Sequence, residues 1–170
     1  VGLNLSLRAE DRRLDAPYPA NHYGEIIGSL EAGEIDMLLV WGGNPLSQWP
    51  NLPRLRRALD NVGLIVAWDL FMSHTAREVA DLVLPATCWL EETGLKAGAT
   101  HIYLMPQILE PPGECRTGVW IQTELARRLG MDDFYPWPNV ETMMDDVLNA
   151  PDCRGITVEQ LAASPGGLMA

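Results

Sequence analysis

Two short segments carry side chains suited to gripping a polar ligand. Gly42-Gly43-Asn44-Pro45 couples a glycine pair to an amide. Paired glycines let a backbone approach a phosphate closely and donate N–H groups to it, and Asn44 can offer its amide to a sugar or phosphate oxygen. The second segment runs Trp68-Asp69-Leu70-Phe71-Met72-Ser73-His74-Thr75. Asp69 can accept hydrogen bonds from a ribose, or from the N1–H and amino group of guanine. Ser73 or Thr75 can cap a following helix, whose N-terminus attracts anions. The same residues also have an ordinary use, since Gly-Gly-Asn-Pro is a good turn and Asp69 a good loop residue. The chain has no G-x-G-x-x-G and no Walker A lysine, which argues against an ordinary NAD or ATP site.

Other groups make weaker chemistry. Glu91 and Glu92 are adjacent, so they diverge on a helix instead of forming an acid–base pair. Ser47, Ser73 and Cys88 lack the context of a nucleophile elbow. The three cysteines, Cys88, Cys115 and Cys153, are far apart and share no metal-ligand spacing with His22, His74 or His101. They read as free thiols. His74 and His101 read as hydrogen-bonded structural histidines, and the six tryptophans as core and interface residues.

The elements that must position the two segments follow from hydrophobic spacing. Ile26, Ile27 and Leu30 have helical spacing, ended by Gly33. Met37 to Trp41 is a short apolar run, the pattern of a strand buried on both faces. Leu52, Leu55 and Leu59 mark a helix that Pro53 opens from its first turn. Leu64 to Trp68 is a second buried strand ending at Asp69, Thr75 to Ala80 a short helix, and Leu82 to Leu84 a third strand stopped by Pro85. Strand, helix, strand, helix, strand with short connections predicts an α/β fold, three-layer αβα and Rossmann-like, with a mostly parallel sheet. In such a sheet both candidate segments leave the carboxyl ends of strands, so they share one edge, where ligands bind.

Past Pro85 the pattern loosens. Residues 86–100 read as a surface loop with a helical turn, Ile102 to Leu104 as a further strand, and Pro111-Pro112-Gly113 as a break. Trp120 to Leu129 is an amphipathic helix closed by Gly130. Val140 to Leu148 and Val158 to Ala162 are two more short helices, the latter opened by a capping box of Thr157 and Gln160. The organisation expected is an irregular lead-in over 1–23, one α/β domain over 24–164, and an exit segment over 165–170.

Bulk composition narrows the partners. The chain has 170 residues, 47% of them hydrophobic, with 12 basic against 23 acidic side chains and a formal charge of −11. That charge argues against a nucleic-acid partner, because phosphate binding needs a basic face. Arg54, Arg56, Arg57, Arg127 and Arg128 read as solvated helix faces. No run approaches the roughly 18 consecutive apolar residues of a membrane span. The chain opens on Val1, so it is expected to continue a longer protein, and its compartment, cytoplasm or periplasm, stays open.

Taken in order, the blocks Gly43-Asn44-Pro45, Asp69-Leu70-Phe71-Met72-Ser73-His74-Thr75-Ala76 and Ala80-Asp81-Leu82-Val83-Leu84-Pro85-Ala86-Thr87 resemble the dimethyl sulfoxide reductase family of molybdopterin oxidoreductases. So do Trp89-Leu90-Glu91-Glu92, Thr100-His101-Ile102-Tyr103-Leu104 and Glu110-Pro111-Pro112-Gly113-Glu114. The match spans about residues 24–130, and its specificity lies in the order and spacing of the blocks.

The resemblance implies a molybdenum or tungsten ion held by two molybdopterin guanine dinucleotides, with this chain forming part of one α/β domain that grips one dinucleotide. By position, Asn44, Trp68 and Asp69 correspond to family positions that contact that cofactor, and Gly42, Gly43, Pro45 and Thr75 complete the two candidate cofactor-binding loops. Glu92 occupies another such position, where related enzymes often carry lysine. A further one, often Asp or Asn, falls at Gly118, which has no side chain. The iron–sulfur cluster that some relatives hold, the metal-ligating side chain and the domain completing the pocket would all lie outside these residues. The partners implied are the remaining domains of a parent enzyme, and apolar surface left by them would favour self-association of the isolated piece. The expected function is thus part of a molybdenum- or tungsten-dependent oxidoreductase, binding the guanine dinucleotide and not catalytic alone. A non-redox nucleotide-binding or assembly module of the same ancestry and a self-standing α/β protein remain as alternatives.

Overall fold

Met37, Leu38, Leu39, Val40 and Trp41 pair in register with Leu64, Ile65, Val66, Ala67 and Trp68, strand parallel to strand. A computed structural model describes this ladder and the rest of residues 23–98, 100–131 and 136–169. The lead-in expected over 1–23 lies outside the described residues, except Tyr23, which begins the first helix. The described residues fall into two compact units, one up to Ala86 and one from Thr87. That boundary lies inside the 24–164 stretch read as one domain.

The first unit runs α1 (Tyr23–Glu31), β1 (Met37–Trp41), α2 (Pro45–Gln48), α3 (Leu52–Leu59), β2 (Leu64–Asp69), α4 (His74–Glu78) and β3 (Leu82–Pro85). The strands form one parallel sheet in the order β1-β2-β3, the α/β architecture expected. Side chains alternate across a strand. Leu38, Val40 and Ile65 accordingly meet Ile27 and Leu30 of α1 and Leu55, Ala58 and Leu59 of α3 in one core. Asp81 closes the lower end of the sheet. Its N–H donates to the Ile65 carbonyl at 2.8 Å, and its carboxylate accepts the Ile65 N–H at 2.7 Å.

β2 is central, and Ile65 through Trp68 are all buried. β1 departs from the expectation of burial on both faces, with Met37 and Trp41 nearly half exposed. Met37 and Trp41 share one face of the strand with half-buried Leu39, and that face is only partly covered among the described residues. α2 was not foreseen at all. A single turn opened by Pro45 is too short to show a periodicity.

The second unit holds β4 (Gly94–Ala97), β5 (His101–Met105), α5 (Gly118–Arg128), α6 (Val140–Leu148), a 3₁₀ turn (Pro151–Cys153), α7 (Val158–Ala162) and β6 (Leu168–Met169). Its sheet is antiparallel, β4-β5-β6. Two expectations are corrected here. Residues 94–97 form a strand paired with β5, not a loop, and Leu168–Met169, inside the expected exit segment, pair with β5 from its other side. Flanking glycines and mixed polarity hide the first, and two residues are too few to reveal the second. Ile102, Leu148, Cys153, Ile156 and Leu161 build this unit's core. α7 opens on the expected capping box, Thr157 with Gln160. No helix among the described residues is long and apolar enough to cross a membrane.

Candidate functional site

Parallel register carries Trp41 and Trp68 to the same level, so the loops that follow β1 and β2 leave one edge of the sheet. Their rings meet edge to face, with centroids 4.3 Å apart. Trp68 is 5% exposed, and its Nε1 is a buried donor with no partner among the described residues. Such an orphan costs about 1–3 kcal/mol unless something accepts from it.

Four hydrogen bonds lace the strand ends together. Gly42 leaves β1 at a φ of +56° and donates its N–H to the Trp68 carbonyl at 2.8 Å. That φ is one glycine adopts freely and an L side chain does not. The Ala86 N–H, just past β3, donates to the Asp69 carbonyl at 3.1 Å. Asn44 completes the lacing. Its Oδ1 accepts the Thr75 hydroxyl at 2.8 Å and the Thr75 N–H at 3.1 Å.

Asn44 caps α2 through its backbone, its carbonyl accepting the N–H groups of Ser47 and Gln48. Pro45 follows as the buried first residue of that turn. Gly43 lies in ordinary contact with its surroundings. Thr75 is 1% exposed. Its hydroxyl accepts the Leu46 N–H at 3.0 Å while donating to Asn44, so it is fully engaged inside the protein. The capping role offered to Ser73 or Thr75 belongs to Ser73, whose hydroxyl accepts the Ala76 N–H. Asp69 turns the chain after β2, with Oδ1 accepting the Phe71 N–H at 3.2 Å. Asp69 Oδ2 and Asn44 Nδ2 have no partner among the described residues.

Glu92 and Gly118 belong to the second unit. The Glu92 carboxylate accepts the hydroxyl of buried Thr87 at 2.8 Å, and the neighbouring Glu91 carboxylate accepts the Cys88 N–H at 2.9 Å. Adjacent in sequence, they serve separate partners within one loop. Gly118 is the buried first residue of α5, capped by Thr117. Among the described residues no three His, Cys, Asp or Glu side chains gather as metal ligands. His74 bonds Glu78, and His101 bonds Thr100 and stacks on Tyr103. Arginines pair with glutamates, Arg54 with Glu31, Arg56 with Glu78, and Arg127 and Arg128 with Glu124. These pairs are the solvated helix faces expected of them. Sequence reasoning found the two loops but missed that Thr75 is buried and that Asn44 reaches it.

The fold is that of an α/β protein in which the loops after β1 and β2 leave one edge of a parallel sheet. A family model described as molybdopterin oxidoreductase matches residues 4–128, and the chain belongs to that family. It is 36% identical over 130 residues to a probable oxidoreductase, YyaE, of Bacillus subtilis, covering 75% of this chain and 19% of that protein. The alpha subunit of an F420-dependent formate dehydrogenase of Methanocaldococcus jannaschii is 33% identical, over 77% of this chain and 20% of its own length. A periplasmic nitrate reductase of Desulfovibrio desulfuricans is 33% identical, over 69% and 16%. Among solved structures, acetylene hydratase from Pelobacter acetylenicus superposes with a TM-score of 0.71 at 22% identity, over 85% of this chain and 20% of that one. The chain thus spans about a fifth of the length of the curated relatives it matches.

Proposed function

We propose that this chain is part of a molybdenum- or tungsten-dependent oxidoreductase and that its sheet edge holds the guanine dinucleotide end of the molybdopterin cofactor. The observation that carries this reading is the pairing of a strand-end edge with three polar atoms that have no partner among the described residues, Trp68 Nε1, Asn44 Nδ2 and Asp69 Oδ2. Two are donors and one is an anionic acceptor. The donors suit phosphate or sugar oxygens, and the carboxylate suits the N–H groups of guanine or the hydroxyls of ribose. Gly42 has nothing within 4 Å of where a Cβ would stand, so a ligand can lie against the backbone there. The orphaned indole and the open glycine fit such a group.

When bound, the cofactor's metal supplies the electron or atom transfer. The residues of this chain bind and orient. In this reading Asn44, Trp68 and Asp69 make the contacts, while Thr75 and the Gly42–Trp68 bond fix the loops. Glu92, already committed to Thr87, orders its own loop. The metal ligand and the remaining pocket belong to other parts of a longer protein, and an iron–sulfur cluster, where one exists, would lie there as well. The isolated piece therefore does no catalysis.

The test is Asp69→Asn in the full-length enzyme. Asn keeps the acceptor for the Phe71 N–H and removes the charge, so the turn survives. Guanine and metal retained per polypeptide should fall about tenfold, the scale of one charge-assisted hydrogen bond. Wild-type content in the variant would take Asp69 out of the site.

A further inference from the structure

Asn44 and Thr75 are 31 residues apart, yet they share two hydrogen bonds, and those bonds decide which end of the Asn44 amide is free. The Thr75 backbone N–H can only donate, so the atom 3.1 Å from it must be the oxygen Oδ1. The Thr75 hydroxyl takes the Leu46 N–H as its acceptor duty at 3.0 Å. Its own proton is then directed to Asn44 Oδ1 at 2.8 Å. Both donors of Thr75 thus converge on one oxygen, and the ambiguity common to amide side chains disappears. Nδ2, with two N–H groups, is left without a partner among the described residues.

We infer that Thr75 is a positioning residue that fixes the polarity of Asn44, so that this position presents hydrogen-bond donors alone to an acceptor oxygen of the ligand. The inference rests on the proposed cofactor site and reassigns Thr75 within it. Thr75, at 1% exposure with its hydroxyl engaged twice, touches no ligand. It acts through Asn44. The side chains of Asn44 and Asp69 then differ in kind. Loop one offers donors at Asn44, suited to an anionic phosphate oxygen, and loop two offers an acceptor at Asp69.

Asp at position 44 separates this role from a merely structural one. A carboxylate accepts both Thr75 donors as well as an amide oxygen does, and α2 is capped by the backbone carbonyl of residue 44, which the substitution leaves in place. Asn44→Asp therefore keeps the tether and replaces the outward donor with an acceptor. Full-length protein carrying Asn44→Asp, Thr75→Val, Thr75→Ser or Asp69→Asn would be purified, and guanine, metal and melting temperature measured per polypeptide. The expected result is that Asn44→Asp melts with the wild type but holds about tenfold less guanine and metal, the scale of one hydrogen bond to a charged group. Thr75→Val should lose cofactor and Thr75→Ser regain it, because serine restores the hydroxyl. Wild-type content in Asn44→Asp with loss in Asp69→Asn overturns the polarity and leaves the site standing. Wild-type content in both overturns the site and the inference with it. Loss in Thr75→Ser equal to that in Thr75→Val overturns the hydroxyl's part.

Discussion

Gly42 and Gly43 sit side by side in the candidate site and answer to different constraints. Gly42 holds a φ of +56° with open space around its missing Cβ, whereas Gly43 would place a Cβ 3.6 Å from Val40 Cγ1 and no closer to anything else. Gly42→Ala should therefore cost about 1–2 kcal/mol of stability, all of it conformational. Gly43→Ala should stay within about 0.5 kcal/mol. Urea unfolding of the two variants measures the difference, and equal costs would mean that φ is not what selects glycine at 42. That Gly-Gly-Asn-Pro forms a turn was legible from residue types alone. That Asn44 spends its oxygen on Thr75 was not, because a side-chain bond across 31 residues leaves no trace in local spacing. The same holds for Trp68, whose orphaned Nε1 emerges only once the strands are packed.

Elements are where the pattern spoke most clearly. β1, α3 and β2 were readable because apolar runs and helical spacings persist over five or more residues in each. β4 and β6 were not, since their pairing partner β5, and not their own sequence, makes them strands. Charge adds a second layer at this scale. Arg54 of α3 bonds Glu31 of α1, and Arg56 of α3 bonds Glu78 of α4, so α3 is tied to both neighbours by exposed ion pairs. The hydrogen bond from Arg54 holds the Glu31 carboxyl below the ordinary carboxylate range, and that from Arg56, seconded by His74, does the same for Glu78. A carboxylate whose folded value is depressed adds stability above its unfolded value, about pH 4, and loses it as pH falls through the folded value. Melting temperature should thus decline on acidification below about pH 4.5, and Glu31→Gln with Glu78→Gln should flatten that decline. Added salt should flatten it too, because these pairs are exposed and screened. A double variant as acid-sensitive as the wild type would show that the pairs contribute nothing.

At the scale of the whole molecule, the ordered blocks pointed to the family that the family model matches. Among the described residues, Arg54, Arg56, Arg127 and Arg128 pair with glutamates, in a chain whose formal charge is −11. The division at Ala86 was the least legible feature, since no glycine-rich or charged linker marks it and Leu82 to Thr87 runs on without a break in composition. Each unit nevertheless has its own core, Leu55 with Ile27, Leu30 and Ile65 in the first, and Leu161 with Ile102, Leu148 and Ile156 in the second. No residue is common to the two clusters. Leu55→Ala and Leu161→Ala each remove a fully packed side chain and should cost about 2–5 kcal/mol locally. Amide exchange reads that cost by region, because local opening need not involve the whole chain. Leu55→Ala should speed exchange in α3, β1 and β2 by about thirtyfold or more, as follows from the lower end of that cost, and leave β5, α6 and α7 near the wild-type rate. Leu161→Ala should do the reverse. If either substitution accelerates both sets alike, the two cores open as one cooperative body, and the division drawn at Ala86 has no energetic counterpart.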